Sequence, residues 1–112
     1  MLPRKHRLTQ DKDVTRVLRK GRAVVTNLLT VKAVEGHGSV PRAAIVVGLK
    51  VHKRATKRNL IKRRLRVVLQ KLFPDFKAIV DLVVVALPDS VGRKQADLAS
   101  AVEYCLKKLG VV

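Results

Sequence analysis

Arg58, Lys62 and Arg66 recur at every fourth position, the spacing that places side chains on one face of a helix. Lys53, Arg54, Lys57, Arg63 and Arg64 widen that face, so eight Lys or Arg fall among residues 53–66. The chemistry such an array offers is recognition of anions. Guanidinium forks match phosphate oxygens two at a time, and ammonium groups act as point charges. Asn59 adds no charge but both donates and accepts, so it can bond backbone in the first helical turn or address a 2′-hydroxyl or base edge. A merely solvated helix face usually interleaves Glu with Lys at i,i+4. Here no acidic residue occurs between Glu35 and Asp75, against eleven basic ones.

The residue types that make nucleophiles, acid–base pairs or metal sites are scattered. Cys105 sits on an apolar helical face and reads as a small core residue rather than a nucleophile. His6, His37 and His52 lie in basic or loop segments without metal-ligand spacing, and read as surface residues. Asp11 and Asp13 suit a helix cap and its dipole better than a Mg²⁺ pair. Asp81, inside an apolar run, needs a basic neighbour or an exposed strand end. The sequence therefore predicts no catalytic and no metal-ligating side chain.

Composition points the same way. The chain has 112 residues, 47% of them apolar, and 25 basic against 8 acidic residues give a net charge of +17. One domain spanning 1–112 is expected, with a real core and a surplus of charge that a polyanion would neutralise. Nucleic acid and an anionic membrane are the two classes that fit. A membrane is disfavoured because the longest apolar run, VDLVVVAL (80–87), is far short of a span and carries Asp81. Aromatic content is only 3%, and the apolar stripe beside the basic face is needed to cover strands. The N-terminus MLPRKHRLTQDKD lacks the apolar segment of a signal peptide, and a lone cysteine suits a reducing cytoplasm with no disulfide-linked partner. Composition alone leaves RNA and DNA equally open.

The elements that must hold these residues follow from periodicity. Residues 11–20 read as a short helix capped by Asp11 or Thr9, with Val14, Val17 and Leu18 on one face and Gly21 as its stop. AVVTNLLTVKAV (23–34) and RAAIVVGLKV (42–51) read as strands, joined by GHGSVP (36–41) as a hairpin loop. Ile61, Leu65, Val68, Leu69 and Leu72 form a stripe at helical period, with Thr56 as cap and Pro74 as stop. AIVDLVVVAL (78–87) reads as a strand buried on both faces. Asp89 or Ser90 would cap a last helix that turns Leu98, Val102, Leu106 and Leu109 inward and ends near Gly110. The order α-β-β-α-β-α predicts an α/β two-layer sandwich.

Three segments together carry a resemblance: MLPRKHRLTQDKDVTRVLRKGR, VGLKV and KRNLIKRRLR, followed by the VVVAL strand. In this order they resemble the protein subunit family of bacterial ribonuclease P over nearly the whole chain. The signature is Arg58-Asn59-x-x-Lys62-Arg63. The resemblance implies a ribosomal-protein-S5-domain-2-like fold with a left-handed β-α-β crossover, although most such crossovers are right-handed. It implies hydrolysis of the precursor-tRNA phosphodiester that frees the 5′ leader, performed by a catalytic RNA subunit with bound Mg²⁺. The basic helix would dock on that RNA, and a cleft between the first helix and the sheet would hold the leader. The matching cleft positions are Val14, Leu18 and Lys32, with Arg16 and Lys20 as neighbours able to track phosphates. The family usually lines the cleft with aromatics and carries Arg where this chain has Leu60. The connection from Gly48 into the basic helix is shorter than usual. A ribosomal or other structural RNA-binding protein would share the charge and size without a nuclease role.

Overall fold

The computed structural model describes residues 2–112. Its helices are α1 (Asp11–Lys20), α2 (Ala55–Leu72) and α3 (Gln95–Lys108), and its strands β1 (Arg22–Val25), β2 (Leu29–Glu35), β3 (Arg42–Val46) and β4 (Val80–Ala86). One sheet runs β1-β2-β4-β3. β2 is antiparallel to both neighbours, with Leu29 opposite Ala86 and Glu35 opposite Val80. β3 and β4 are parallel, Arg42 opposite Asp81 and Val46 opposite Val85. The crossover between that parallel pair is α2, which places the whole basic stretch in one β-α-β unit.

The expected two-layer core is formed by one sheet face and two helices. Leu29, Val31, Leu82 and Val84 meet Ile61, Leu65, Val68 and Leu69 of α2 and Leu98, Val102, Cys105 and Leu106 of α3. Each large aliphatic side chain removed from water contributes about 1.5–3 kcal/mol, so the stripe on α2 fixes its charged face despite the mutual repulsion there. Leu72 packs at the margin. Leu, Lys, Arg and Gln favour the helix, and Pro74, within a 3₁₀ turn at Phe73–Asp75, ends it. The opposite sheet face carries α1 and part of the segment that precedes it. A smaller cluster of Leu8, Val17 and Val83 forms there, flanked by Val14, Val34, Ala44 and Val85. Because β4 serves both clusters, it is apolar almost throughout, as its sequence predicted.

Several local expectations change. The predicted order holds, but its first strand folds back on itself as β1 and β2. At the bend the Thr26 hydroxyl accepts from the amides of Leu28 (3.2 Å) and Leu29 (3.1 Å), a local alternative to the sheet ladder that Thr readily offers. The 36–41 segment is not a hairpin loop, because β4 lies between β2 and β3. The most apolar strand takes the position where both faces are covered, and consecutive strands give way to it. β3 ends at Val46, and Val47–Val51 form a turn closed by Val51 N–H to the Gly48 carbonyl (3.0 Å). The helix caps also differ. Gln10, Arg54 and Lys94 occupy the N-cap positions, none with a side-chain cap bond. Asp11 and Thr56 lie inside the first turns, where Asp11 still favours the dipole. Pro88–Ser90 form a separate 3₁₀ turn. α3 does end near Gly110, at Lys108, and the φ of 76° at Gly110 suits a residue without Cβ.

Gly21 is required for a different reason. A Cβ there would stand 2.4 Å from the Val17 carbonyl oxygen and 3.2 Å from the Ala33 amide nitrogen. Both are backbone atoms that cannot swing aside, so α1 can enter β1 only without a side chain. Gly21→Ala is expected to destabilise by about 1–3 kcal/mol. Thermal melting checks this, and an unchanged Tm would refute the close approach.

Candidate nucleic-acid interface

The outward side of α2 separates into free and engaged cations. Lys53, Arg54, Lys57, Asn59 and Arg63 are exposed, and Arg58, Lys62, Arg64 and Arg66 are half-buried. Among the described residues, no hydrogen bond or ion pair engages the side chains of Lys53, Lys57, Asn59, Lys62 or Arg63. Arg58 is different: its Nη1 donates to the carbonyls of His52 (3.0 Å) and Lys53 (2.8 Å). It therefore ties the incoming loop to the helix and still presents the rest of its guanidinium. Arg64 Nη1 donates to the Arg93 carbonyl (2.6 Å), binding α2 to the turn before α3. Arg66 borders a concavity of about 300 Å³ with Arg7 and Thr9. Leu60 is half-buried on this side and stands outside the core cluster. The helix thus holds an unneutralised, backbone-fixed array, which is the electrostatic footprint of polyanion binding.

The residues expected to line a cleft beside α1 have more mixed roles. Val14 packs on the small cluster around Val17, whereas Leu18 is 37% exposed. Lys32 Nζ donates to the Leu18 carbonyl (3.0 Å) at the end of α1, and Lys20 is exposed beside it. Arg16 is largely committed to the protein. Its Nη2 donates to Asp81 Oδ2, and its Nη1 to a ring nitrogen of His37 (2.7 Å). Arg42 completes the arrangement by a two-point contact, Nε to Asp81 Oδ1 (3.0 Å) and Nη2 to Oδ2 (2.8 Å). Asp13 stands 3.8 Å from the Arg42 guanidinium. The hydrogen bond to Asp81 raises the already high pKa of Arg42, and the charges of Asp81 and Asp13 add to this against the cost of burial. Asp81 is wholly buried, so two guanidinium groups supply the basic neighbour that the sequence demanded.

Cys105, His6 and His52 each make contacts within the fold. Cys105 is buried with its Sγ 3.7 Å from the Val24 carbonyl, and desolvation raises its thiol pKa, which disfavours the thiolate. His6 stacks on Phe73 with ring centroids 4.4 Å apart and bonds the Pro41 carbonyl, rather than being simply solvated. His52 accepts the Arg54 amide. Among the described residues no three His, Cys, Asp or Glu gather as a metal site, and no helix is long and apolar enough to cross a membrane.

The family model for Ribonuclease P matches residues 2–110. The chain belongs to that family. A ribonuclease P protein component from Beutenbergia cavernae is 36% identical, covering 99% of this chain and 93% of that protein. One from Synechocystis is 30% identical over 99% of this chain and 90% of its own length. The fold agrees with solved ribonuclease P proteins. A Staphylococcus aureus mutant with defective mRNA degradation activity matches with a TM-score of 0.85 at 23% identity, over 96% of this chain and 91% of that one. The Thermotoga maritima protein matches with 0.78 at 20%, over 88% and 92% respectively.

Within this ribonuclease P family member, Arg42 is the residue that sequence reasoning passed over. The signal was available in principle: a buried Asp81 requires cations, and the strand register sets Arg42 opposite it. That register depends on β3 lying beside β4, which chain order does not reveal.

Proposed function

We propose that this chain is the protein component of a ribonucleoprotein that removes the 5′ leader from precursor tRNA. In this reading the basic helix binds the catalytic RNA subunit, and the α1 side of the sheet meets the leader. The observation that carries it is the array of Lys57, Asn59, Lys62 and Arg63, held by the apolar stripe of α2, with Lys53 just ahead of the helix, all five side chains left without protein partners among the described residues. Single-stranded leader passing α1 would meet apolar packing at Val14 and Leu18 and charge at Lys20 and Lys32. Stacking on aromatics, worth ~1–3 kcal/mol per base elsewhere, has no counterpart at those positions. Arg16 contributes by holding α1 over Asp81 more than by tracking phosphates.

The polypeptide supplies no nucleophile or metal ligand set in this scheme. Mg²⁺ is held mainly by the RNA subunit and substrate and supports hydrolysis there. The protein's own work is to screen repulsion between two large RNAs and to position the precursor. A soluble cytoplasmic setting follows from the same reading.

The test mixes purified protein with a bacterial catalytic RNA and precursor tRNA at low Mg²⁺, where RNA-only cleavage is weak. Cleavage that needs both components is the expected result. Cleavage by the protein alone, or equal cleavage without it, overturns the proposal.

A further inference from the structure

A concavity of about 950 Å³ lies away from the basic helix. Strand register fixes its place. Glu35 and Val80 share one end of the sheet, and α1 finishes there at Lys20. The charged half of α2 instead follows Val46, at the opposite end. The concavity is bordered by Lys20, Arg22 and Lys77, with Glu35 as its one carboxylate, and by the apolar Ile79 and Val111.

This corner is built rather than loose. Arg22 Nη2 donates to the Leu109 carbonyl (2.6 Å), which holds the guanidinium at the rim. The Lys77 amide donates to the Val111 carbonyl (2.7 Å), pinning the C-terminal turn beneath it. Ile79 is nevertheless 42% exposed, an aliphatic surface set among three cations. Its volume falls within the about 300–1,000 Å³ typical of sites for small organic ligands. Apolar floor and cationic rim together match a nucleotide, whose base seeks apolar contact and whose phosphate seeks charge. Lys20 belongs both to this rim and to the end of α1, so a strand leaving α1 meets a cation at the edge of the concavity.

We propose that this concavity is a second single-stranded RNA subsite, receiving leader nucleotides farther from the cleavage point than those beside α1. The inference rests on the functional reading above and adds a direction to it. The strand would run from the end of the sheet near the charged half of α2 toward the end where α1 stops.

The test uses the reconstituted ribonucleoprotein with two precursor tRNAs, one with a leader of about ten nucleotides and one with a leader of about three. Lys77→Glu reverses a charge on an exposed side chain and leaves its backbone bond to Val111 in place. Affinity for the long-leader substrate is expected to fall about tenfold, the effect of one lost charged contact and one introduced repulsion. Affinity for the short-leader substrate and for the RNA subunit should be unchanged, and Lys77→Arg should restore the long-leader value. Equal losses on both substrates, or no loss on the long one, overturn the subsite. Equal cleavage of both substrates with and without protein at low Mg²⁺ would overturn the functional reading itself, a result distinct from a silent Lys77 in a protein-dependent reaction.

Discussion

Asp81→Leu is expected to lower the stability of the free protein by about 2–4 kcal/mol. The measurement is a urea transition, with a lower midpoint at an unchanged m-value. Leu matches the apolar character of β4, so any loss reports the missing charge rather than poor strand propensity. Asp81 is completely buried, while the Arg16 and Arg42 side chains keep 20% and 26% of their exposure. Full removal of one member of a buried pair costs about 3–5 kcal/mol. The residual exposure lets the stranded guanidinium groups turn partly to water, which sets the expectation below the top of that range. Asp81→Asn keeps the shape and one acceptor and should fall between wild type and Leu. An unchanged midpoint for Asp81→Leu would mean that the two arginines do not anchor α1 and β3 through this carboxylate.

Replacing Arg58, Lys62 and Arg63 together with Ala should weaken binding to the catalytic RNA and flatten its dependence on salt. Each phosphate neutralised contributes about 0.7–0.9 to the slope of log K against log salt. Loss of three such contacts should therefore reduce the slope by about 2–3. The protein should stay folded, since none of the three belongs to the buried stripe of Ile61, Leu65, Val68 and Leu69. Arg58 needs its own control because it also bonds the His52 and Lys53 carbonyls. The Lys62, Arg63 double variant isolates the electrostatic effect. Arg58→Ala alone should in addition lose about 1 kcal/mol of stability. Affinity for that RNA unchanged across a salt titration would remove the basic helix from the interface.

The features legible from sequence were those set by local periodicity. Ile61 to Leu69 repeat at helical spacing, and Leu98, Val102, Leu106 and Leu109 do so again, so both helices and their inward faces could be read directly. The apolar continuity of β4 likewise announced a strand covered on both sides. What chain order concealed was tertiary competition. β4 inserts between β2 and β3, and Thr26 turns an apparently continuous strand into a hairpin. The caps were misplaced because Asp11, Thr56 and Ser90 are good capping types, yet the chain enters its helices one to several residues away. The basic array of α2 was visible as an imbalance of charge. Its division into free cations and those tied to backbone, such as Arg58 and Arg64, depended on side-chain geometry that no spacing rule contains.

The segment ahead of α1 has a consequence for how the molecules behave together. Leu8 donates its amide to the Ala43 carbonyl (2.9 Å), Arg7 bridges to Ala43 in parallel, and Leu2 and Leu8 are buried. This stretch lies along the outer side of β3, where a sheet edge would otherwise be open to another chain. In free solution a net charge of +17 already keeps copies apart. Once a polyanion cancels that charge, repulsion no longer guards against self-association. The covered β3 edge then still blocks strand pairing on that side of the sheet, whatever the charge state of the molecule.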